Sequence, residues 1–231
     1  MRAARIAQAA ALPFLGIPYR QDGAVDENGF FTLFASPKRR FSSPGLNCSG
    51  LVLGISRSLL RKNLTLGEAA RDRLGDSGPG AKRGEDWDFG WDLVLNISEG
   101  EPRALLLPGG LSADPAAGDG LSPRGIDIHK KGELEELCGR LHPGFFYLVS
   151  LSAEGRGPGL AHYHVGLILP DAGGRVWLYQ TTGKGKISGR RDLCGATGRD
   201  AFRRSFANTG GKRKMMLVIE VALPEAEATP E

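Results

Sequence analysis

Cys48, in the stretch "LNCSGLVLGI" (46–55), follows an asparagine of the kind that caps helices and precedes an apolar run. A helix N-terminus carries roughly +0.5 charge from unsatisfied amides, so a cysteine in the first turn has its thiolate favoured. Cys48 thus suits either of two roles, a small packing hydrophobe or a nucleophile. A nucleophile needs a base brought close by folding, and the chain has four histidines. His129 and His142 fall in a loop and in the turn-like "LHPG". His162 and His164 lie in "HYHVGLIL", where strand alternation would direct both to one face, with Val165, Leu167 and Leu169 on the other. Gly166 on the histidine face would let a helix approach. On the next strand, "RVWLYQTT", Gln180 offers either an amide to hold an imidazole tautomer or a strand-end side chain facing water.

The formal charge is +4, from 30 basic and 26 acidic residues among 231. The cations are spread along the chain rather than massed, which disfavours nucleic acid and leaves an anionic polymer such as cell wall open. No apolar run approaches the ~20 residues that a membrane span needs. The opening "MRAARIAQAAALPFLG" imitates a secretory signal, but its apolar part is short and contains Pro13, so it reads as a first helix. Cys48, Cys138 and Cys194 allow at most one disulfide and leave a free thiol.

These residues need elements to position them. The pattern predicts a helix from about Ala3 to Leu12, then a long loop rich in Gly, Pro, Asn and Ser. A helix follows from Cys48 to about Lys62, with Asn47 as N-cap. Thr65 and Glu68 form a capping box opening a helix to about Leu74. Residues 75–131 read as a long insertion. Within it, Trp87, Trp91 and Asp88 suit either a wall of a substrate groove or a small satellite core, and the aspartate spacing matches no metal site. "GELEELCGRL" gives a helix with Leu134, Leu137 and Leu141 on one side. Four strands follow, "FFYLVSL", "HYHVGLIL", "RVWLYQTT" and "KMMLVIEVAL", with a helix in "TGRDAFRRSFAN" before the last and a disordered tail from about 224 to 231. The expected fold is a single α+β domain over 1–231, with N-terminal helices packed on a C-terminal antiparallel sheet and Cys48 at a helix N-terminus.

Four motifs in order, "LGIPYR", "NCSGLV", "LHPGFFYL" with "HVGLIL", and "LYQTT", resemble those of the NlpC-type cell-wall cysteine peptidases, a papain-like superfamily. The resemblance covers residues 5–62 and 137–185. It implies a papain-like fold with Cys48 as nucleophile, His164 as base (His162 in reserve), Gln180 as the polar third member, and Tyr19 beside the oxyanion. It also implies an endopeptidase that cuts stem peptides of peptidoglycan or its muropeptides in the periplasm or cell envelope, without metal or organic cofactor. Asn47 and Phe145 stand where relatives carry aspartate, which bears on substrate choice. An amidase or acyltransferase of the same superfamily, an inert wall-binding module, and a cytoplasmic location are the alternatives.

Overall fold

The computed structural model describes residues 2–75, 88–117, 125–154, 160–207 and 213–224. Trp87 and the expected tail from residue 225 lie outside the described residues. Helix α1 (Arg2–Ala11) buries Ala4, Ala7 and Ala11, and Pro13 turns the chain out of it through a single 3-10 turn. Helix α2 (Cys48–Leu60) begins where Asn47 Oδ1 accepts the Gly50 amide at 2.8 Å and ends at Arg61 in the left-handed region. The capping box of Thr65 and Glu68 is formed, but α3 (Leu66–Ala69) runs only four residues and stops short of Leu74. Between α1 and α2, β1 (Gly23–Val25) and β2 (Phe31–Leu33) pair as a small hairpin in the segment expected to be loop.

The main sheet is antiparallel throughout. Its order is β4 (Ser112–Ala113), β3 (Arg103–Leu106), β10 (Lys214–Ala222), β6 (Phe145–Glu154), β7 (Leu160–Pro170), β8 (Val176–Gln180) and β9 (Gly189–Asp192), with β5 (Ile126–Asp127) also on β10. Strand β6 shows why the sheet is central. Phe146 and Leu148 join the core beneath α1, α2 and α4 (Phe89–Ile97), whereas Tyr147, Val149 and Leu151 join the core beneath α5 (Glu133–Arg140) and α6 (Ala196–Ser205). An unbroken apolar run of this kind is what a strand buried on both faces requires.

Two expectations change here. The sheet is covered on both faces, because Leu134, Leu137 and Phe202 place α5 and α6 opposite the N-terminal helices. The described part of 75–131 is not a detached loop: β3 and β5 pair with β10, and α4 buries Trp91, Leu93, Val94 and Ile97 in the core. Short elements amid Gly, Pro and Asp escape periodicity because each offers too few residues for a period to show.

Gly50, in the first turn of α2, lies against the backbone of β1. A Cβ there would meet the Gly23 carbonyl and come within 2.8 Å of the Ala24 Cα. Alanine normally favours a helix over glycine by about 1 kcal/mol. Here Gly50→Ala is expected instead to lower unfolding free energy by about 1–3 kcal/mol, since a backbone cannot yield as a side chain can. Urea denaturation of the purified variant checks it; an unchanged or raised midpoint would contradict the close approach.

Candidate active site

Strand β8 pairs with β7 only from Leu167 to Pro170, so among the described residues the edge of β7 before Leu167 has no strand beside it on that side. The first turn of α2 closes against this edge. The Val165 amide hydrogen-bonds the Cys48 sulfur, and Ser49 Oγ lies 4.0 Å from it. Cys48 is half-buried. Burial by itself pushes its thiol up, but hydrogen bonding and charge from His164, with the Val165 amide and the Ser49 hydroxyl, bring it down to about 7. The other two thiols behave differently: burial pushes Cys138 up to about 12 and Cys194 also upward. All three cysteines are free, so no disulfide joins Cys138 to Cys194.

His164 Nε2 stands 3.0 Å from Gln180 Oε1. An amide oxygen only accepts, so Nε2 carries the proton and Nδ1 is the nitrogen left for the thiol. Both side chains are buried, at 8 % and 7 % exposure. Gly166 explains how Gln180 comes so near. A Cβ there would meet Leu178 Cδ1 at 3.0 Å and the Tyr179 carbonyl at 3.3 Å, so the space expected for a helix is filled by β8.

The two strand histidines do not share a face. His162 and His164 oppose consecutive residues of β6, Ser152 and Leu151, because Tyr163 is an extra residue in a β-bulge. Consecutive residues alternate, so His162 turns toward α4, stacking on Trp91 with ring centroids 6.0 Å apart and meeting Ser150 Oγ at 3.0 Å. It is thereby drawn away from the reserve role expected of it. Trp91 and Asp88, 3 % and 1 % exposed, are interior rather than lining a groove. Their burial follows from α4 lying flat on β6 and β7. Asp92 of the same helix accepts the Arg73 amide at 2.9 Å, and burial raises its carboxyl to about 6.

Tyr19 is half-buried; its backbone bridges Leu46, two residues before Cys48, and its amide donates to the Lys186 carbonyl at 2.8 Å. The chain from Ile17 to Tyr19 is thus held between the approach to α2 and the loop after β8. Sequence reasoning missed the Val165 amide, which no side chain advertises. It also missed Phe206, whose spacing of four from Phe202 was visible but whose neighbour was not. A cavity of about 370 Å³ lined by Val25, Asp26, Arg57 and Lys62 lies toward the other end of α2, apart from this cluster. Among the described residues, no group of acidic, histidine and cysteine side chains could hold a metal ion, and no helix is long and apolar enough to cross a membrane.

No family profile and no curated protein matches the chain. Among solved structures, the chain is similar to an N-acetylmuramoyl-L-alanine amidase from Bacteroides uniformis, at 11 % identity and a TM-score of 0.47, over 96 % of this chain and 100 % of that one. A likeness at that level assigns no activity.

The arrangement predicts a thiolate at neutral pH. Alkylation of Cys48 by iodoacetamide, followed by peptide mass spectrometry across pH 5–10, should show a midpoint near 7. Below that pH the sulfur is protonated and slow; above it, reaction reaches a plateau. In His164→Gln the lowering hydrogen bond and charge are gone while burial stays, so the midpoint should move above the ordinary thiol value of about 8.5. Equal midpoints in the two proteins would refute the coupling.

Proposed function

We propose that the protein is a thiol hydrolase that cuts amide bonds in peptidoglycan stem peptides. The observation carrying this reading is the Cys48 thiol, brought down to about 7 beside an imidazole whose other nitrogen is fixed by Gln180. The substrate class rests on the motif resemblance given above.

In the proposed reaction the Cys48 thiolate attacks the amide carbonyl while His164 carries the proton taken from the thiol. The amide of Cys48, one of those a helix leaves without an intrahelical acceptor, points toward the developing oxyanion, with Tyr19 as the second donor. As the C–N bond breaks, His164 gives its proton to the departing amine and the acyl group stays on sulfur. His164 then takes a proton from water, the hydroxide adds to the thioester, and the acid leaves as the thiol is restored. Gln180 keeps Nδ1 directed at sulfur throughout; as a neutral amide it stabilises imidazolium less than a carboxylate would. Acting on wall peptides, the protein would work in the cell envelope.

The test is incubation of purified sacculi and soluble muropeptides with the protein and with Cys48→Ala, products being read by mass. Cleavage within the stem peptide by the wild-type chain, reduced at least a thousandfold in Cys48→Ala, is the expected result. Release of whole stem peptides from the glycan would mark an amidase instead, and transfer to an added amine an acyltransferase. Binding to sacculi with no product from either protein would mean an inert wall-binding module.

A further inference from the structure

Phe206 stands just past the end of α6, where its ring packs on the imidazole of His164 with centroids 5.0 Å apart and planes inclined at 41°. It is itself held on several sides. The ring of Phe202, one helical turn back and fully buried, lies 5.2 Å away edge-on, and the ring of Tyr163 on the bulge lies 6.3 Å away. Its carbonyl accepts a hydrogen bond of 3.0 Å from His129 Nε2, which ties the end of α6 to the chain after β5. Phe202, Tyr163 and His129 are none of the thiol, the base or the amide, and through Phe206 they bear on the base.

A hydrogen bond to Nε2 fixes one atom of the imidazole and leaves the ring able to swing about it. Transfer of a proton between Nδ1 and sulfur also depends on the plane of the ring, and an angular error of 10–20° is enough to impair a catalytic constellation. We propose that Phe206 is a positioning residue that fixes the plane of the His164 imidazole against Cys48, with His129 and Phe202 holding Phe206 in place. This rests on the Cys48–His164 pair of the proposed function, and it adds a third constraint on the base, supplied by an element that the motif resemblance does not cover.

The test compares Phe206→Ala, Phe206→Leu and Phe206→Tyr in the full chain, with circular dichroism as the check on folding. Two quantities are read: the pH midpoint of Cys48 alkylation, resolved from Cys138 and Cys194 by peptide mass, and the turnover of muropeptides. Phe206→Ala should raise the midpoint by about one pH unit and lower kcat about ten- to a hundredfold with little change in KM, because the base is misaligned while no group proposed to contact substrate is altered. Phe206→Tyr keeps a ring of the same shape and should restore both. Should Phe206→Ala fail to fold, Phe206→Leu carries the comparison: it nearly preserves volume without preserving a flat face, so a raised midpoint supports the proposal. A folded Phe206→Ala, or failing that Phe206→Leu, with the wild-type midpoint overturns it, as does a wild-type midpoint at the ordinary thiol value. Alkylation needs no substrate. A Phe206-dependent midpoint without any wall product would therefore remove the proposed substrate and leave this inference standing.

Discussion

A thiolate held out of bulk water has to be surrounded by donors that do not move, and here the donors come from a sheet edge left open by design. Because β8 stops pairing at Leu167, the amide of Val165 meets no strand among the described residues on that side and donates instead to the sulfur at the tip of α2. A longer β8 would consume that amide and displace the helix. The same early stop sets Gln180 at the strand's end, where its side chain reaches back past Gly166 to His164. One topological feature thus places both a backbone donor on the sulfur and the amide that orients the imidazole.

The bulge at Tyr163 has the complementary effect. In a regular strand the residues at 162 and 164 would face the same way, crowding two imidazoles into one site whose like charges would resist joint protonation. The extra residue rotates His162 into the layer beneath α4, where Ser150 and Trp91 occupy it, and leaves His164 alone on the other face. It also leaves Tyr163 44 % exposed beside the site, with the Lys214 ammonium 4.8 Å from its ring centroid.

What was legible in the sequence follows from how local each signal is. Asn47 as N-cap, the Thr65–Glu68 capping box and the leucines of α5 were readable because each depends on contacts within one or two turns. The four long strands were readable because both-face burial makes their apolar runs continuous. Cys48, the pair His162 and His164, and Gln180 were singled out from residue type and position, the choice of His164 came from the motif resemblance, and the structure places Cys48, His164 and Gln180 together. The bulge was not readable: one residue too many in β7 is defined only by its register against β6, which a single strand does not encode. The second helical layer was missed for a similar reason. The apolar sides of α5 and α6 were visible, but which face of the sheet they would cover depends on the connections between strands. Trp91 and Asp88 were readable either as a groove wall or as a small satellite core, because type alone in a Gly- and Asp-rich stretch does not decide burial; α4 buries both.

The cleft's chemistry is therefore set by places where regular structure ends. The amide of Val165 is available because a strand has run out, the amide of Cys48 because a helix has just begun, and His164 faces the sulfur without a second imidazole beside it because an extra residue interrupts an alternation. Each interruption would normally cost stability, since unpaired backbone groups must find acceptors or water. In this protein the groups at these interruptions satisfy one another: Asn47 Oδ1 accepts from the Gly50 amide, the sulfur accepts from the Val165 amide, and Gln180 Oε1 accepts from His164 Nε2. That mutual satisfaction means the site is not a set of side chains grafted onto an indifferent scaffold. Changing where β8 ends would take the Val165 amide from the sulfur, and restoring the alternation of β7 would bring His162 in beside His164, in both cases without altering one of the side chains to which the proposal assigns the chemistry.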